Sequence, residues 1–368
     1  MSVRLPFVLV ALLVGWLLLT SVGSRGEPWP VAGAVTLALV AYLLGRAVPL
    51  TVRPWAATAV GLLGLGAVLL GDGALDFVLS GPLGYANANA ALAVQAGAAF
   101  ALAASARPRA LRAVGAAGAL ASLVVCLLIG AVAASAGAVL VLAAMSLPGL
   151  TGRRVSAVLS LAGMVAASLL PFMVGAIGGS EAVARALTER RVDLWSDGVD
   201  ALTEEPLLGV GSRAFSTVSP TAAGDSDTRE AHAELLQRAV ENGAPGVLLE
   251  VLAVSVVAGA LARRAWRRNA TDRPQTGAMS DDRAALVGLA ALSALWANAG
   301  VDWVLAFPVV VAACSVVTGL ASSTLRRSAV GPNGQDGRQD LVTGLPARDS
   351  SLADDQFQAH RRRRDRGE

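Results

Sequence analysis

Long apolar runs recur through the first 322 residues of this chain. A helix rising 1.5 Å per residue needs roughly 17 to 25 such residues to cross a hydrocarbon core of about 30 Å. The runs fall at about 5–22, 31–48, 55–71, 88–105, 112–129, 133–149, 155–177, 245–262, 285–300 and 303–322. With 54% hydrophobic and only 15% charged residues, and a mean hydropathy of +0.59, the chain is far more apolar than a soluble domain, which averages about 25% charged. The expected fold is therefore all-α: a polytopic transmembrane bundle of about ten helices. Its expected parts are an N-terminal bundle of about seven helices (1–177), a large loop (178–244), C-terminal transmembrane helices (245–322) and a disordered tail (323–368).

Arginine sets the expected orientation, because short loops rich in Arg stay cytoplasmic. Arg4 precedes the first run; Arg46 and Arg53, then Arg107, Arg109 and Arg112, then Arg153 and Arg154, then Arg263, Arg264, Arg267, Arg268, Arg273 and Arg283 mark every second connection. The alternate connections, such as the one with Asp72 and Asp76, carry almost none. Both termini are thus expected in the cytoplasm of a multi-pass cytoplasmic-membrane protein. Residues 1–25 also fit a secretory signal, but removing that run would put the Arg-rich turns on the wrong side. Every one of the 30 basic residues is Arg, which suits a coding bias and carries no functional weight. Cys126 and Cys314 lie inside apolar runs, so neither a disulfide nor a Cys-based metal site is suggested. The Arg361–Arg364 run suits contact with anionic lipid headgroups or a merely solvated tail.

The segment from about Gly178 to Ala244 is too long for a simple connection and too polar for the bilayer, and it faces outward in this topology. Glu181 to Leu202 reads as a helix with Leu187, Leu194 and Leu202 on one stripe. Arg190 and Arg191 lie three or four positions from Leu187 and Leu194, which puts at least one guanidinium at the edge of that stripe, and Trp195 follows four residues after Arg191. A guanidinium there suits a phosphate; the same pattern fits an interfacial helix with a snorkelling Arg and an anchoring Trp. Glu205 to Gly211, with Pro206, Gly209 and Gly211, stops the helix. Asp227-Thr228-Arg229-Glu230 has capping-box spacing and predicts a second helix carrying His232, ended by Asn242-Gly243. His232 is the one histidine before the tail, and imidazole is the side-chain type that titrates near neutrality without help. A lone histidine also suits a purely structural role.

Two further features share that side. Asn87 and Asn89 lie at the mouth of the fourth run, where carboxamides suit sugar hydroxyls or helix capping. Asn298, Asp302 and Trp303 occupy the turn between the last two runs, where Asp302 can orient an Arg or His of the loop or be solvated.

In this order the pieces resemble the O-antigen ligase and O-antigen polymerase superfamily of bacterial envelope glycosyltransferases. The motifs are Arg191-x-x-x-Trp195, Pro206-Leu207-Leu208-Gly209-Val210-Gly211 with Phe215, His232-x-x-x-Leu236-Gln237 with Glu241-x-Gly243-x-x-Gly246, Asn87-x-Asn89, and Asp302-Trp303 with Pro308, spanning about Tyr85 to Gly319. The resemblance implies a helical membrane fold of the GT-C type that moves a glycan from an undecaprenyl-diphosphate carrier to a glycan, lipid or protein acceptor. It implies no metal or other cofactor, and no nucleic-acid partner. It would make Arg191, with Arg190, the holder of the diphosphate and His232 the group that positions or deprotonates the acceptor hydroxyl. Trp195, Asn87, Asn89, Arg213 and Asp302 would contact substrate. The family's Ser-Arg pair is Ser135-Ala136 here, and Asn298 stands where the family often has His, leaving Arg213 or Arg229 as substitutes. A transporter or a scaffold for envelope polysaccharide assembly is the competing class; nearly charge-free spans speak against ion-coupled transport.

Overall fold

The computed structural model describes residues 4–22, 26–70, 83–104, 106, 108–147, 149–179, 185, 187–224, 229–266 and 281–323. All the regular elements among them are helical. They are α1 (Arg4–Thr20), α2 (Pro28–Ala47), α3 (Arg53–Leu70), α4 (Ala86–Ala103), α5 (Arg109–Ile129), α6 (Val132–Ser146), α7 (Gly149–Ile177), α8 (Glu189–Glu204), the short α9 (Pro220–Ala223), α10 (Glu234–Trp266), α11 (Asp281–Val301) and α12 (Pro308–Ser322). Seven are long and apolar enough to cross a membrane: α2, α3, α4, α5, α7, α10 and α11. The apolar helices α1, α6 and α12 are shorter. This is the architecture of a multi-pass membrane protein. The expectations concerning Asp72 and Asp76, Arg107, Glu181, Asp227 and Thr228, Arg267, Arg268 and Arg273, and the tail with Arg361–Arg364 lie outside the described residues.

Burial sorts the helices into two kinds. The apolar windows of α4 and α11 are 89% and 83% buried, against roughly a quarter to a third for the other five long helices, so these two form the axis. Their composition allows this: α4 reads ANANAALAVQAGAAFALA, and its small residues let neighbouring backbones approach closely. Phe100 is the exception, and it fits because Gly61 of α3 and Gly118 of α5 face its ring; a Cβ at Gly118 would lie 2.5 Å from it. The outer helices turn Leu62, Leu63, Leu127 and Leu128 outward, as residues facing lipid should.

One run differs from expectation at its start. Residues 303–307 are apolar, but they form a 3-10 turn (Val304–Ala306), and α12 begins at Pro308. A residue before proline is held extended, and proline itself suits the first helical position; Phe307 has φ −98° and ψ 101°. Asp302 and Trp303 therefore sit on an irregular turn at the end of the axial helix α11. At the other end of α11 Asp282 pairs with Arg153 at 3.0 Å. A 21-residue helix is about 31 Å long, so the two acidic residues mark opposite ends of the bundle.

The large loop has its own small core of Leu194, Trp195, Phe215, Leu236 and Val240, with Val174 of α7. It is fastened over a break in α10. Gly243 has φ 67° and ψ −179°, and Pro245 has no N–H to offer, so the carbonyls of Val240 and Glu241 lose their helical donors. The Pro206–Gly211 turn replaces them: Val210 N donates to Val240 O at 2.9 Å and Gly211 N to Glu241 O at 2.8 Å, while Ala244 N donates to Pro206 O at 2.9 Å. Trp16 of α1 donates to Asn242 O at 2.8 Å, and the Asn242 amide reaches Thr20 and Ser212.

Gly209 (φ 66°) lies so close to this break that a Cβ would stand 2.5 Å from Glu241 backbone, whereas Gly84 (φ 63°) has open space. Gly84→Ala should cost only the left-handed penalty, about 1 to 2 kcal/mol, while Gly209→Ala should add steric displacement of the clamp, about 1 to 3 kcal/mol more. Thermal unfolding in detergent checks the ranking; equal midpoints would contradict it.

Candidate functional site

Four separate segments converge on one carboxylate. Asp302 Oδ1 accepts from Tyr85 Oη at 2.5 Å, from its neighbour Trp303 N at 2.8 Å and lies 3.0 Å from His232 Nδ1. Oδ2 accepts from Arg191 Nη2 at 3.0 Å and from the Asn87 amide. Tyr85 and Asn87 open α4, Arg191 stands in the first turn of α8, and His232 lies two residues ahead of α10. The two axial helices thus supply the floor of the site, and the loop supplies its two cationic-type groups.

Asp302 is almost wholly enclosed, at 2% exposure. Burial alone would raise its carboxyl, but the hydrogen bonds from His232 and Tyr85 and the Arg191 charge outweigh burial and hold it below the usual aspartate range. An ionised carboxylate only accepts hydrogen bonds, so His232 Nδ1 must carry a proton and donate it to Oδ1. In a neutral imidazole that leaves the lone pair on Nε2. Burial and the Asp302 charge push the Tyr85 hydroxyl upward, so Tyr85 remains a donor. An aromatic cluster of Tyr85, Trp303 and Phe307 walls the turn, with ring centroids 5.3 to 5.8 Å apart, and His232 meets Trp303 edge-on at 6.1 Å.

His232 is not on a helix. The second loop helix begins at Glu234, and His232 sits in the preceding irregular segment at φ 50°. The capping-box pattern does not set the start of the helix; the tertiary contact with Asp302 holds His232 outside it. Thr188, Arg213 and His232 are the non-glycine residues with positive φ among those described. All three are in the loop, and Thr188 and His232 stand within three residues of a side chain bonded to Asp302. Such backbone costs about 1 to 3 kcal/mol each and persists where surroundings over-determine it.

The other predicted site residues are distributed as follows. Trp195 is fully buried and donates Nε1–H to Ala231 O at 2.9 Å, so it is no exposed interfacial anchor; it fixes the backbone beside His232. Asn89 is also fully buried, inside the bundle, and its amide has no hydrogen-bond partner, so it does not join Asn87 at the surface. Arg190 points away from Asp302, reaching Thr221 O at 3.4 Å. Arg213 pairs with Glu27 at 3.5 Å. Asn298 is buried and bonds Ala294 O in its own helix, and Arg229 is exposed.

A second polar group joins the motif residues Gln237 and Glu241 to Arg238, Glu230, Glu234 and Glu250, which none of the family-like motifs includes. Arg238 donates to Glu234 at 2.7 Å, Glu250 at 2.8 Å and Asn242 at 3.0 Å, and Gln237 bridges Glu230 and Glu241. Glu250 lies within the run expected to be free of charge. Its signal was a single acid in an otherwise apolar stretch, paired across the α10 break. Burial raises the Glu230 carboxyl above its ordinary range.

Asp302→Asn should strand Arg191 and His232 around a weaker acceptor. Loss of one partner from a buried charged set costs about 3 kcal/mol, so amide hydrogen exchange should accelerate in 189–204 and 229–233 while α4 stays protected. Unchanged exchange in both segments would mean that the carboxylate does not hold the loop. A scan against protein-family models finds no match to this chain, and neither does a search of curated proteins.

Proposed function

We propose that the chain is an integral membrane glycosyltransferase of the O-antigen ligase and polymerase kind, with a GT-C-like fold, transferring or polymerising glycans from an undecaprenyl-diphosphate carrier outside the cytoplasmic membrane. The observation that supports this most is the meeting of Arg191 and His232, from the two arms of the loop, on one ionised carboxylate at the end of the axial helices. The Arg-rich ends of the bundle would be cytoplasmic, with both termini, and the Asp302 end would lie at the outer headgroups, where a lipid diphosphate presents its charge.

The chemistry follows from the roles the geometry allows. The acceptor hydroxyl oxygen bonds to the anomeric carbon of the donor sugar as the bond from that carbon to the diphosphate oxygen breaks. The electron pair leaves with the polyprenyl diphosphate, and the hydroxyl proton passes to His232 Nε2. Asp302 holds the imidazole in the tautomer that leaves Nε2 basic and stabilises the imidazolium that forms, the logic of a carboxylate-oriented histidine base. A guanidinium has five N–H donors; the Asp302 contact engages Arg191 through Nη2, and the fork stabilises the departing diphosphate charge. Arg190 adds positive charge on the adjoining face of α8.

Purified protein in proteoliposomes supplied with a polyprenyl-diphosphate glycan should consume it. His232→Ala and Arg191→Ala should each lower that rate by about a hundredfold or more with insertion unchanged, and Arg190→Ala by much less. Full donor consumption by both of the first two variants would remove the mechanism.

A further inference from the structure

A cavity of about 510 Å³ lies between α1, α2, α10, α11 and α12, adjoining the Asp302 turn. Its shaft is apolar, walled by Val10, Leu13, Val35, Leu39, Val254 and Val311. On α12 the lining runs from Pro308 to Thr318, a rise of about 15 Å, or half of a hydrocarbon core of about 30 Å. The opposite wall is polar, formed by Arg213, Glu230, Glu234, Gln237, Arg238 and the buried Glu241 and Glu250. Trp303 and Leu305 complete it, and the Trp303 ring is the one that meets His232 edge-on. An amphiphile with its tail in the shaft therefore has its headgroup at the wall where Trp303 separates the cavity from the imidazole.

The wall's charges state what that headgroup is. Carboxylates outnumber guanidiniums on it, Glu230, Glu234, Glu241 and Glu250 against Arg213 and Arg238. Each guanidinium is already matched: Arg238 by Glu234 and Glu250, Arg213 by Glu27. A phosphate placed here meets cations that are already matched, beside four acidic side chains and with no further guanidinium among the described residues of the wall, in a site where charges are poorly screened. Hydroxyls can donate to the remaining lone pairs of carboxyl oxygens that Arg238 and Gln237 already engage, and they add no charge that those pairs would have to compensate. Arg191 meanwhile holds the Asp302 oxygen that His232 does not, so the phosphate-binding and hydroxyl-binding surfaces meet at one carboxylate from different elements.

We propose that this cavity seats the acceptor as an amphiphile with a single-leaflet apolar tail and an uncharged, hydroxyl-rich headgroup, and that it rejects anionic lipids. The word acceptor rests on the glycan-transfer reading; the headgroup preference does not.

The test uses the full chain in nanodiscs of phosphatidylcholine with an alkyl maltoside carrying a diazirine in its chain. Photolabelled peptides should map to α2, α10 and α12. Unlabelled alkyl maltoside should compete at least tenfold better than an alkyl phosphate of equal chain length at equal membrane-bound concentration. Val35→Trp, which fills the shaft, should remove labelling of α10 and α12 but not of the lipid-facing side of α3, and Glu234→Gln should narrow the preference over the phosphate. Equal competition by the phosphate, better competition by an alkyl ammonium, or labelling indifferent to Val35→Trp would each overturn the proposal. Maltoside preference without donor consumption would retain the cavity assignment and defeat the transfer reading; donor consumption with equal phosphate competition would do the reverse.

Discussion

A single buried carboxylate holds the catalytic-looking end of this molecule together. Asp302 lies at the end of the axial helix α11, where an uncompensated charge would be expensive, and it is stabilised there by donors from α4, α8, the segment ahead of α10 and its own backbone. Two of those segments, α8 and the one ahead of α10, are also joined by the Trp195–Ala231 hydrogen bond; Asp302 is what ties them to the axial helices. The tautomer of His232 and the placement of Arg191 depend on that one ion being kept ionised.

The second support is the break in α10. A continuous helix from 234 to 266 would have needed no partner; the Gly243 and Pro245 interruption frees two carbonyls that the Pro206–Gly211 turn then takes up. The motif glycines are thus explained by close backbone approach at Gly209 and Gly243. They build the seat of the loop.

The ten apolar helices were legible because length and hydropathy are local properties, and Asn242-Gly243 was legible as a break for the same reason. Asn87 and Asp302 were recognisable as candidates because each lies at the end of an apolar run, Asp302 also as a group able to orient an Arg or His, and Arg191 and His232 because they lie in the one long polar loop. What sequence could not convey was tertiary. The capping-box spacing near His232 was overridden by its contact with a residue 70 positions away. Trp195 resembled an interfacial anchor until Ala231 proved to be its partner. Arg238 and Glu250 pair across a helix break, where helical periodicity no longer predicts which faces coincide. Residues 303–307 have the hydropathy of a span, yet Pro308 dictates where the helix can start.

The geometry of α10 and α11 has one mechanical implication. His232 is tethered just ahead of α10, whose first half is clamped to the loop, and Asp302 is the first residue beyond α11. The two helices pack against each other, and the 3.0 Å imidazole–carboxylate contact joins the segment ahead of one to the turn after the other. Any displacement of α11 relative to the segment ahead of α10 would alter that contact, so the bundle and the loop share one polar joint.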